Sequence, residues 1–253
     1  MNIKLVTEIL LFSLIPVITM IVGGILGTAF NVNQKIRSSL LHLAAGVIFA
    51  VVAIDILPNI VEKQNVITTS IGFFAGLAVM LLIKHLTRKS ELKHKETIII
   101  EKKKNKPVNL LPWGLLVGIA VDIVLDGILL GVGFAAGKSE GVLLCIALSL
   151  EILVLGLVVS TELKTEKFNK KLILTVISLL TISIVSGAFI GSVLLNIAGE
   201  NSLNGVLAFG LSALMYLVTE ELLVEAHENI DTPFSTAIFF IGFFIFLIIA
   251  LIY

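Results

Sequence analysis

The sequence predicts an all-α, polytopic membrane protein with eight spanning helices, and three observations carry that prediction. Hydrophobic residues make up 57% of the 253 and charged ones 14%, against roughly 45–50% and about 25% in a soluble domain. The apolar residues are gathered into long runs, and the mean hydropathy is +1.09. The 18 basic and 18 acidic residues cancel, but the bases crowd into a few short connections while several acids interrupt apolar runs. Such a chain has too little polar surface to coat a soluble globule, so its surroundings are a lipid bilayer. Cys145 is the one cysteine and lies in an apolar stretch, which excludes a disulfide scaffold. A nucleic-acid binder and a secreted enzyme fit poorly.

A spanning helix needs about 20 mainly apolar residues, because it rises 1.5 Å per residue through a core of roughly 30 Å. Eight runs qualify: 8–30, 40–61, 66–86, 111–136, 141–162, 172–197, 203–224 and 234–253. The first is too long for a signal-peptide core and lacks a basic start with a small-residue cleavage site, so it reads as a retained helix. No extended soluble domain is left over, and residues 1–253 read as a single transmembrane domain. The connection around 137–140 is short, which makes the fourth and fifth spans antiparallel neighbours.

The connections set the orientation. The first carries Lys35 and Arg37, the third (87–110) is a Lys-rich loop with eight bases, and the fifth carries Lys164, Lys167, Lys170 and Lys171. The intervening connections, around Glu62/Lys63, Lys138/Glu140 and Glu200, carry little basic charge. The positive-inside rule then puts the odd loops in the cytoplasm and both termini outside a plasma (inner) membrane. The seventh connection, with Glu225, Glu228 and Asp231, is acidic, but acids count little in that rule. The Lys-rich loop reads as a solvated, topology-setting segment, compatible with contact to anionic headgroups. His85 and His94 in and beside it are a weak metal signal.

A carboxylate deep in the bilayer costs at least a few kcal/mol, which makes it a functional-site candidate. The deep acids are Asp55, Asp122, Asp126 and Glu151, with Glu220 and Glu221 toward the end of the seventh span. Asp122 and Asp126 stand at i and i+4 and share one helix face. Glu151 is the one acid within the next apolar run, at similar depth, so three carboxylates can converge. Two ionised carboxylates that close repel strongly in a low dielectric; either one keeps its proton or a cation sits between them. The central parts of the spans hold no base to pair with them. Protonated acids bonded to backbone carbonyls stay open as an alternative, and the spacing does not separate a metal from a proton or a sodium ion. Small-residue spacings at Gly23–Gly27, Gly72–Gly76 and Gly127–Gly131 permit close packing, a homodimer included.

These residues resemble the ZIP family of divalent-metal transporters, which have eight spans, both termini outside and a variable cytoplasmic loop between spans three and four. In that family the fourth span carries a His-Asn-x-x-Glu-Gly motif, where this chain has Asp122-Ile123-Val124-Leu125-Asp126-Gly127. The fifth carries His-Glu-x-Pro-Glu-Gly, which aligns Glu151, Ile152 and Leu155 ahead of Gly156. The second span's ending matches Asp55-Ile56-Leu57-Pro58-Asn59, and the seventh's matches Glu221-Leu222-Leu223-Val224-Glu225 after Tyr216. Those two endings also resemble each other. The resemblance implies a 3+2+3 arrangement of the spans with an inverted repeat around a central metal-binding pair.

The departures are informative. Acids stand for both motif histidines, and Ile123, Ile152 and Leu155 stand where the family has further ligands. Asp122, Asp126 and Glu151 suffice for one ion, not for two. Imidazole suits zinc, whereas carboxylates suit harder cations such as Mn²⁺, Mg²⁺ or Ca²⁺, with Fe²⁺ also accepted. The expectation is transport of a divalent metal of the zinc, iron or manganese class, shifted toward harder ions and exchanged for protons. The metal is the substrate, and no organic cofactor is expected. Asp55, Glu220 and Glu221 would line the pathway, with Glu225 and His227 at the cytoplasmic mouth. The alternative is a ZIP-fold membrane protein without metal transport: a regulatory subunit, or a carrier of protons or another solute. A membrane metalloprotease would need His-Glu-x-x-His, which no span contains.

Overall fold

The computed structural model describes residues 3–30, 32–103, 111–198, 203–227 and 233–252. All regular structure among them is helical, in ten α-helices and two π-helical turns. Helix α1 is Ile3–Ala29, α2 Gln34–Val51, α3 Leu57–Glu62, α4 Val66–Lys103 and α5 Trp113–Ala136. Next come α6 Lys138–Thr165, α7 Lys170–Ala198, α8 Leu203–Tyr216, α9 Leu223–Ala226 and α10 Pro233–Ile252. A π-turn at Val52–Ile56 joins α2 to α3, and a second at Leu217–Leu222 joins α8 to α9. Each α–π–α run is one crossing, so eight helical segments are long and apolar enough to span a membrane.

The second span starts at Gln34, earlier than its apolar run, because the Asn33 side chain accepts from the Ile36 amide at 2.8 Å and caps the helix. Its π-turn has a local cause. Pro58 has no amide proton, and its ring would collide with the carbonyl four residues back, so the backbone widens there. In the seventh span Thr219 donates to the Met215 carbonyl at 2.9 Å, a side-chain bond that competes with the backbone ladder inside the second π-turn.

One expectation needs correcting. The Lys-rich segment predicted as a loop from residue 87 continues α4 as helix to Lys103. Lysine, glutamate and leucine favour helix, and no Gly or Pro interrupts the run before Pro107. Residues 104–110, Glu200, Glu228 and Asp231 lie outside the described residues.

The helix pairs repeat. Span one packs on span five as span six packs on span four, and span two packs on span eight as span seven packs on span three. Spans one, two, three and four therefore correspond to six, seven, eight and five, and the two π-turns fall on corresponding crossings. This is the inverted repeat. Spans two, four, five and seven form the interior. Spans three and eight carry lipid-facing rows such as Ile67, Ile71 and Phe74, or Phe240 and Phe244, all exposed.

All three small-residue pairs are used inside the chain: Gly23 and Gly27 face α6, Gly72 and Gly76 face α8, and Gly127 and Gly131 face α7. At the last pair the approach is backbone to backbone. A Cβ on Gly131 would stand 2.7 Å from the Ala188 carbonyl oxygen and 2.9 Å from the Ser192 nitrogen. Glycine there lets α7 buttress α5 directly behind its acids.

Candidate metal centre

Helices α5 and α6 form a hairpin joined by one residue, Gly137, whose extended backbone (φ 172°, ψ 159°) is unstrained. Its amide donates to the Gly133 carbonyl at 3.1 Å and its carbonyl accepts from Gly141 at 3.0 Å. Asp122 and Asp126 lie fifteen and eleven residues before Gly137, and Glu151 lies fourteen after it. At 1.5 Å per residue the three stand at one level of the hairpin.

The structure brings them together: one carboxylate oxygen from each of Asp122, Asp126 and Glu151 lies within 4.8 Å of the other two. Asp126 and Glu151 are each 2% exposed, and Asp122 is half-buried. Asp126 Oδ2 and Glu151 Oε2 are fully buried and have no hydrogen-bond partner among the described residues. An ion about 2.0–2.6 Å from carboxylate oxygens spans donors up to about 4–5 Å apart. At that separation two like charges repel by about 3–4 kcal/mol per pair at an effective dielectric near 20. A divalent cation fits both the spacing and the charge.

Beside the trio the lining turns apolar. Ile123 and Ile152 are fully buried and pack with Met20, Ile184 and Leu155. The motif positions that would hold a second ion are thus built into hydrophobic core.

The remaining sequence candidates separate. Asp55 lines a small cavity with Asn59 and Glu140, bounded by Leu129, Val132 and Gly133 of α5 and by Gly210 of α8. Val132 and Gly133 lie about two turns beyond Asp126, toward the Gly137 link. Sequence reasoning treated Glu140 as part of a connection. The available signal was its spacing: Glu140 and Glu151 are eleven residues apart, close to three turns, and so share a face of α6. Glu221 interacts electrostatically with Asp122, Asp126 and Glu151. Glu220, its neighbour, turns the other way. Half-exposed, it accepts from Lys84 Nζ at 2.7 Å on the α4 side, and Lys84 also stands 5.4 Å from the Tyr216 ring centre. Of the adjacent pair, Glu220 bonds Lys84, while Glu221 interacts electrostatically with the trio and also with Lys84 and Glu225.

At the end of the bundle where α2 begins and α9 finishes, Arg37 donates through Nε and a terminal nitrogen to Glu225 Oε1. Ser38 Oγ donates to the Ala226 carbonyl at 2.8 Å, and His227 is exposed beside them. At the same end Lys164 Nζ donates to the Phe30 carbonyl at 3.2 Å. Arg37 of the first connection and Lys164 of the fifth therefore lie on one side.

With this geometry in place, comparison with known families is decisive. The ZIP zinc transporter family model matches residues 84–250, the greater part of the chain. The chain belongs to the ZIP family. No curated protein matches it. The matched region takes in the α5–α6 hairpin and the acids of span seven, while Asp55 precedes it. ZIP-family proteins are transporters rather than enzymes, and divalent metal ions are their substrates. Membership therefore makes this an integral membrane protein whose general activity is divalent-metal transport.

Proposed function

We propose that this ZIP-family protein carries a divalent cation through a single all-carboxylate site made by Asp122, Asp126 and Glu151, and that it favours Mn²⁺ or Fe²⁺ over Zn²⁺. The observation that carries this reading is the meeting of two buried acids and one half-buried acid, two of whose oxygens have no described partner. Oxygen donors lower the advantage that imidazole gives zinc and suit harder ions. The apolar packing of Ile123 and Ile152 supports one ion rather than two.

The pathway runs along the acid-bearing faces. Asp55 and Glu140 attract the cation from the side of the Gly137 link, which is the outer side if both termini are outside. Glu221 receives it from the trio, and Glu225 and His227 stand at the cytoplasmic mouth. Three ionised acids against a dication leave one negative charge. When the ion departs, protons offset the repulsion, so metal moves against protons. Protons and metal then compete for the same oxygens, and a more acidic medium on the uptake side slows metal uptake.

Vesicles reconstituted with the purified protein test this reading. Asp126→Asn and Glu151→Gln should each lower Mn²⁺ uptake at least tenfold and abolish stoichiometric Mn²⁺ binding. Unchanged uptake and binding in both variants would falsify the site and favour a ZIP fold put to another use.

A further inference from the structure

The carboxylate hairpin leaves unused a second group of metal-binding side chains, at the far end of the bundle. His42 on α2 is 1% exposed. Its Nδ1 lies 2.8 Å from the Ser38 carbonyl oxygen one turn back. A carbonyl only accepts, so Nδ1 carries the proton and the lone pair sits on Nε2. His227, just after α9, repeats the arrangement. Its Nδ1 bonds the Leu223 carbonyl, again four residues back, and its lone pair is likewise on Nε2. Histidines that bind metals commonly have their other ring nitrogen tied in this way, because the bond fixes tautomer and ring direction.

The two rings come from different spans and meet with centroids 5.0 Å apart at 63°. An ion about 2.1 Å from two imidazole nitrogens at a tetrahedral angle places the ring centroids about 5 Å apart. His42 forms a buried wall and His227 an open side, which gives an ion access from one direction and leaves coordination positions for water. The nearby guanidinium of Arg37 is offset by its bond to Glu225. Ser38 Oγ on the Ala226 carbonyl holds α2 and α9 together at the level of the rings.

We propose that His42 and His227 form a second divalent-metal site, a two-imidazole site bridging the start of span two and the end of span seven, for ions of the borderline class such as Zn²⁺, Ni²⁺ or Cu²⁺. It shares no donor with the carboxylate trio and does not depend on it. An ion held there ties the two spans that carry the π-turns.

Cu²⁺ is the probe, because imidazole nitrogens split its electron paramagnetic resonance while carboxylates do not. The chain has four histidines. In full-length protein carrying His85→Gln and His94→Gln, one equivalent of Cu²⁺ should show splitting from two nitrogens. Adding His227→Gln, at an exposed position, should reduce the splitting to one nitrogen and weaken Zn²⁺ binding at this site at least tenfold. Adding Asp126→Asn instead should leave the two-nitrogen pattern intact, so failure of this site and failure of the carboxylate site are read separately. A parent spectrum with one nitrogen or none overturns the proposal, as does a two-nitrogen pattern that survives His227→Gln or vanishes with Asp126→Asn.

Discussion

The carboxylate trio and the histidine pair sit on structurally opposite foundations. The trio is built from two helices of one hairpin, deep in the interior, with oxygen donors only. The pair joins α2 to the residue that follows α9, nearly two hundred residues away in sequence, at the end of the bundle, with nitrogen donors oriented by backbone carbonyls. Charge separates them further. The trio concentrates acids with no base paired to them among the described residues, whereas beside the histidines Arg37 and Glu225 cancel each other. In the proposed site, burial of three carboxylates with like charges is what favours a cation among them. The histidines are neutral ligands whose geometry, not charge, invites one. A single chain can therefore present a hard site and a borderline site in series.

The contrast can be broken most forcefully at Asp126. Asp126→Asn should cost at least tenfold in Mn²⁺ uptake while leaving metal binding at His42 and His227 intact. A second experiment makes the two sites more alike. Asp122→His gives the trio an imidazole, and uptake selectivity should move toward Zn²⁺ over Mn²⁺ by several-fold, measured by competition between the two ions. Smaller effects belong to the ion pairs at the bundle's end. Arg37→Gln removes a partly buried pair with Glu225 and should lower stability by about 1 kcal/mol, discounted for its partial exposure; a thermal melt reads the change. Lys84→Met removes an exposed partner of Glu220 and should cost only a few tenths of a kcal/mol. Uptake should stay within about twofold, because the hydrogen bond that Lys84 makes is to Glu220 and lies at an exposed position. A large loss of uptake in Lys84→Met would return Glu220 to the pathway.

Much of this was legible in the sequence because membrane physics leaves few choices. Eight apolar runs gave eight crossings, since a chain in lipid must satisfy its backbone within helices. The i, i+4 spacing of Asp122 and Asp126 and the short link at 137 brought Glu151 to their level. Less visible was what depends on local backbone geometry. Pro58 hints at an irregularity, yet nothing in the run around Thr219 announces a π-turn that sends Glu220 and Glu221 to different neighbours. The helical continuation of α4 was hidden because lysine favours a solvated loop and an exposed helix almost equally. Glu140 was hidden because its role comes from Asp55, an acid far away in sequence. His42 gave no signal of its own: it stands in an apolar run, and its significance comes from a partner near the end of the seventh span.

The one-residue link at Gly137 has a consequence for energy conversion. Every acid of the trio belongs to a single two-helix piece, so an ion held as proposed would keep its coordination sphere whole while its surroundings rearrange. A carrier built this way holds its cargo with similar affinity whichever compartment it faces. Under the proposed exchange, direction would follow the ion and proton concentrations on the two sides, and the rate would depend on how readily the glycine-lined contacts of α5 with α7 let that piece slide.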